Sequence, residues 1–155
     1  MTDQTGAGPP RWAYLPFQIS ITLAALMLFD QAVFAGQFLS GTFGALHTHR
    51  ENATFAGLSV ILAAACAVFV RWPGRGPIWP LLACLGLFAL IALQIVFGFA
   101  RQLTLHIPLG TAIILLAVLL AVWAWRSRPP TPIQPIPATG TETPAMDEHE
   151  TAMRP

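Results

Sequence analysis

Two short stretches hold most of the side chains in the apolar part of this chain that could do chemistry. Gly44-Ala-Leu-His-Thr-His-Arg-Glu-Asn52 carries His47 and His49, and Leu103-Thr-Leu-His106 carries a third histidine. Each is preceded by a similar approach, Gln31-Ala-Val-Phe-Ala-Gly36 in one case and Gln94-Ile-Val-Phe-Gly98 in the other. His49 and His106 each open an apolar stretch that closes on adjacent arginine and tryptophan, at Arg71-Trp72 and Trp125-Arg126. The pattern reads as one hairpin used twice. From His49 to Arg71 is 22 residues and from His106 to Arg126 is 20, roughly 33 and 30 Å of helix at 1.5 Å per residue, which puts both imidazoles at one depth near one membrane face. Two imidazoles level with each other on pseudo-symmetric helices can reach one planar ligand from opposite sides. The iron of a b-type haem is the commonest object held that way.

His47 and His49 are two residues apart, so on a helix they point about 200° away from each other and only one can face the bundle. His49 aligns with His106 and is the expected metal ligand; His47 is expected in the loop near water. Neutral imidazoles used as ligands need an acceptor for the other ring nitrogen, and a backbone carbonyl, Thr48, Thr104 or Glu51 could serve. Arg50 and Arg101 flank the site and could meet haem propionates, a planar guanidinium suiting a carboxylate. The bland alternatives are interfacial histidines and solvated arginines.

The elements that must position these residues follow from composition. The chain has 155 residues, 55% hydrophobic and 10% charged, with a mean hydropathy of +0.62, the composition of an integral membrane protein. Four apolar stretches are long enough to span, at about 17–42, 53–70, 78–100 and 105–125. They lack the two-residue alternation of a barrel strand, so the expected fold is all-α, a four-helix transmembrane bundle of two repeated hairpins over residues 17–126. Lysine is absent, and Arg11, Arg71, Arg75, Arg126 and Arg128 fall on the side of the termini and the second loop, against Arg50 and Arg101 on the other. Both termini are therefore expected in the cytoplasm and the histidines near the outer face. Trp12, Tyr14, Trp72, Trp79, Trp123 and Trp125 gather at the cytoplasmic ends as an aromatic belt.

Residues 1–16 read as a cytoplasmic segment before a retained anchor. The proline-bearing, then acidic stretch 127–155 reads as a disordered cytoplasmic tail with nothing to bury. Cys66 and Cys84 lie inside spans without a CxxC or CxxCH pattern and read as small apolar residues. Asp30 is the one carboxyl deep in a span, expected to be neutral or hydrogen-bonded to Gln31 or Gln94. Gly36, Gly41, Gly44, Gly57, Gly98 and Gly110 read first as packing positions and second as room for a macrocycle. A net charge of +1 gives no sign of a nucleic-acid partner.

Over about residues 17 to 126 the chain resembles one four-helix half of haem A synthase. That family carries a histidine followed by arginine opening its second helix, as His49-Arg50 does, and another opening the fourth, as His106 does; the Leu93-Gln94 to Gly98 approach is also similar. The chain likewise resembles a group of short, uncharacterised four-span bacterial membrane proteins. The resemblance implies haem handling, but the family has eight helices, a glutamate three residues before its first histidine and a cysteine pair in an outer loop. Here Leu46 stands in the glutamate's place and the loops hold no cysteine. Two axial histidines saturate iron and favour electron transfer over oxidation of a haem substituent, so haem A synthesis by this chain alone is not expected. The expectation is a haem-b-binding membrane protein for electron transfer or haem handling, with the lipid bilayer and a redox partner or a second copy around it. A homodimer would rebuild eight helices. The alternative is a cofactor-free structural or accessory subunit; a transporter ranks last, because Asp30 is the one charge in the spans. Abundant alanine, arginine and proline without lysine suggest a bacterial plasma membrane.

Overall fold

The computed structural model describes residues 11–127, and the tail expected to be disordered, with most of the segment before the first span, lies outside them. A 3-10 turn, Arg11–Ala13, leads into α1 (Leu15–Leu39), α2 (Ala45–Arg71), α3 (Trp79–Phe99) and α4 (Leu103–Arg126). Each helix has between 21 and 27 residues and is apolar enough to cross a membrane, where a helix satisfies its own backbone. Proline near the start of α1 and α3 (Pro16 and Pro80) pre-sets the helical φ where no intrahelical donor is lost. The chain reverses after α1 at Gly41, whose φ is +97°, and after α3 at Arg101, at +56°. Trp72 is extended before Pro73, which ends α2.

α1 packs on α2 and α4, and α3 packs on the same two, so α1/α3 and α2/α4 are the diagonals of an antiparallel ring. The most extensive pair is α1 with α2. Their buried faces are rich in small residues, Ala24 and Ala25 on one, Ala56, Ala63, Ala64 and Ala67 on the other, which lets backbones approach where lipid supplies no hydrophobic drive. Large apolar side chains such as Leu26, Phe29, Leu62, Leu115 and Leu119 are exposed, an outer surface compatible with lipid.

The two ends of the bundle differ. At the end holding the start of α1, Tyr14 donates to Gly74 O (3.1 Å), Gln18 Nε2 donates to Ala124 O (3.0 Å) and Trp125 Nε1 donates to Thr22 Oγ1 (3.0 Å). The Trp79 and Trp123 rings meet edge to face, centroids 4.2 Å apart. At the other end three helices stop contributing core early: α1 has no buried residue after Leu28, α3 none after Ile91 and α4 none before Ile113, while α2 still buries Ala45 and Asn52. The polar residues of the site occupy that half.

α2 begins at Ala45, eight residues before the apolar span read from sequence. Hydropathy misses its first two turns because His47, Thr48, His49, Arg50, Glu51 and Asn52 are polar, although the backbone is already helical.

Candidate functional site

His49 lies in the second turn of α2 and His106 in the first turn of α4, on diagonal helices at the same end of the bundle. Their rings meet across the bundle with centroids 6.2 Å apart and planes at 64°. Both side chains are half-buried.

Each ring is held in the same way by the helix before it. His49 Nδ1 is 3.1 Å from Gln31 O on α1, and His106 Nδ1 is 2.9 Å from Gln94 O on α3. A carbonyl only accepts, so Nδ1 is the donor in both cases and the neutral ring keeps its lone pair on Nε2. Of the acceptors considered from sequence, backbone carbonyls hold the rings. Thr48 and Thr104 are exposed, and Glu51 faces His47, Oε2 to Nδ1 3.4 Å. His47 itself is 77% exposed; it sits in the first turn of α2 rather than in the loop, on the outward side as the helical spacing requires.

Around the pair the structure assigns roles that spacing did not. Gln94 Nε2 donates back to His106 O (2.8 Å), making a reciprocal pair with the His106 ring bond. A Cβ on Gly98 would lie 3.0 Å from His106 Cε1, and one on Gly110 would lie 2.6 Å from Gln94 Nε2. These two glycines therefore seat the histidine and the glutamine, whereas Gly36, Gly41 and Gly44 face open space. Asn52 Nδ2 donates to Met27 O (2.9 Å), a second tie between α2 and α1 one turn from His49. Gln31 Nε2 and Gln94 Oε1 are buried without a partner. The repeated approach to each histidine was the signal for the glutamines; nothing in the sequence marked Asn52.

Asp30 does not make its expected bonds. Gln94 Nε2 is taken by His106 O, and Gln31 Nε2 is unpartnered rather than donating to the carboxylate. Asp30 is instead partly exposed. Arg50 places Cζ 5.7 Å from the centre of the Phe99 ring, a cation–π contact that ties α2 to the end of α3. Arg101 is exposed in the left-handed turn before α4. Neither arginine pairs with a carboxylate among the described residues. Cys66 and Cys84 are free thiols.

Two imidazoles bound through Nε2 to opposite sides of one metal put their ring centres about 6 Å apart, from a metal–nitrogen bond of roughly 2.0 Å and roughly 1.1 Å from nitrogen to ring centre on each side. The 6.2 Å separation is close to that distance. Among the described residues no three of His, Cys, Asp and Glu converge. The two imidazoles could supply at most two ligands to a metal ion. Two open apolar grooves, of about 370 Å³ between α3 and α4 and about 530 Å³ between α1 and α4, include neither histidine in their walls.

No family model, curated protein or solved structure matches this chain.

Proposed function

We propose that the protein binds one b-type haem between His49 and His106, for one-electron transfer or haem handling in the membrane. One observation carries this reading: diagonal histidines with ring centres 6.2 Å apart, each with Nδ1 committed to a carbonyl, so that in the neutral ring Nε2 carries the lone pair. Haem supplies an iron couple that takes and gives a single electron. The chain's own part is to fix both tautomers through main-chain acceptors, which raises the basicity of the liganding nitrogens. On α1, α3 and α4 the apolar core stops short of the histidine-bearing half. Arg50 and Arg101 stand near that rim as cations for carboxylates. The corresponding hydrogen bond from each histidine to the glutamine carbonyl of its own hairpin supports the reading of one hairpin used twice. Arginine bias supports cytoplasmic termini and an outer-face site in a bacterial plasma membrane, where a redox partner or a second copy would meet it.

The test is the spectrum of the full chain purified from haem-supplemented cells. The expected result is one haem per chain, with sharp α and β bands on reduction that disappear in both His49→Ala and His106→Ala. A colourless, folded wild-type protein would instead favour the cofactor-free accessory subunit.

A further inference from the structure

The two hairpins hold their histidines with unequal strength. His106 has a 2.9 Å bond from Nδ1 to Gln94 O, a return bond of 2.8 Å from Gln94 Nε2 to His106 O, and its ring packed against the bare backbone of Gly98. Only three residues, Ala100 to Gln102, separate α3 from α4. His49 has a single longer bond, 3.1 Å to Gln31 O, and the Gln31 amide nitrogen that would make the return bond is buried and unpartnered. The turn before it is longer, Ser40 to Gly44, and both Gly41 and Gly44 within it face open space, as does Gly36 in the last turns of α1. Glycine gives that connection more backbone freedom than the shorter turn that carries Arg101.

From this inequality we infer that His106 is the anchoring ligand and His49 the yielding one, so that a small neutral ligand such as a diatomic gas can take the His49 side of the metal. The inference rests on the haem reading above. With haem bound, the exchange would break the bond from iron to His49 Nε2 and form one from iron to the incoming ligand, with no electron or proton changing hands. The chain's contribution is the rigidity of one imidazole and the looseness of the other. Toward the histidine-bearing end, α1 has no buried residue after Leu28, α3 none after Ile91 and α4 none before Ile113, so those helices offer the displaced His49 ring little packed core.

Carbon monoxide added to the dithionite-reduced full chain in lipid nanodiscs is the probe. Wild-type protein should show a shifted Soret band. His49→Ala should keep at least about half of its haem, lose the sharp low-spin bands, and bind carbon monoxide about tenfold faster or more, whereas His106→Ala should keep less than about a tenth of its haem. Gly98→Ala, which crowds the His106 ring, should lose haem several-fold relative to Gly44→Ala. A second readout needs neither haem nor variants: in the metal-free protein, nitrogen-15 NMR should find the His106 Nδ1 proton exchanging with solvent about tenfold more slowly than that of His49. Equal haem loss in the two alanine variants, greater loss in His49→Ala, or equal proton exchange would overturn the assignment while leaving a coloured wild-type protein. A colourless wild type would remove the haem reading itself.

Discussion

If the proposed haem site is right, replacing His49 and His106 together with alanine should lower the haem recovered with the full chain by more than about tenfold while leaving the helical content unchanged. Both nitrogens proposed as iron ligands are lost, and no third side chain stands ready to replace them: His47 is 77% exposed and faces Glu51, and no three of His, Cys, Asp and Glu converge among the described residues. The fold survives because each deletion removes one side-chain hydrogen bond, a cost of about 1 kcal/mol apiece. The carbonyls left behind, on Gln31 and Gln94, lie inside α1 and α3 and keep their helical partners. Pyridine haemochrome quantification against protein mass, beside circular dichroism of the same sample, checks both halves of the expectation. Retention of wild-type haem by the double variant would move the cofactor elsewhere or make its binding adventitious.

Gly74→Ala destabilises the metal-free bundle by about 2 to 4 kcal/mol, the largest stability effect expected from adding one methyl group. A Cβ there would lie 2.6 Å from Val70 O and 2.8 Å from Phe69 O. Both are main-chain atoms at the end of α2, so no side-chain rotation relieves the overlap. Gly74 N also donates to Phe69 O (2.9 Å), and Gly74 O accepts the Tyr14 hydroxyl (3.1 Å). Moving the loop to admit the methyl group therefore disturbs the contact that ties the start of α1 to the end of α2. Gly36→Ala sets the opposite sign: it lies within α1 with nothing within 4 Å of its added Cβ, and alanine in a helix gains roughly 0.5 to 1 kcal/mol over glycine. Unfolding of both variants in a detergent titration measures the difference. A Gly74→Ala protein as stable as Gly36→Ala would contradict the packing of this loop.

The fold was readable because its cause is local. Long apolar runs bounded by Gly41, Trp72-Pro73 and Arg101 leave a chain in lipid little choice but helices, and the short turns make neighbours antiparallel. What hydropathy could not find was the start of α2, where six consecutive polar residues sit on helical backbone. The site was partly readable. The shared spacing of His49 and His106 from arginine and tryptophan set their level, the helical angle let only one of His47 and His49 face the bundle, and alignment with His106 picked His49. Asp30 illustrates the limit: its partners were guessed from depth, yet Gln94 turns its amide toward His106 O and the Gln31 nitrogen goes unpartnered. Rotamers respond to neighbours on other helices, and spacing along one helix carries no record of them.

Composition and periodicity alone determined four apolar helices and a pair of imidazoles at matched depth, because burial cost and helical rise act residue by residue. Only the tertiary structure decided that α2 and α4 are diagonal, that the rings approach to 6.2 Å, and that main-chain carbonyls of Gln31 and Gln94 fix both tautomers. It alone decided that the bare backbone of Gly98 faces the His106 ring and that Gly110 leaves room for the Gln94 amide. These properties depend on which faces meet around the ring of helices. Packing between distant segments sets that, and an all-round apolar surface does not encode it in any single helix.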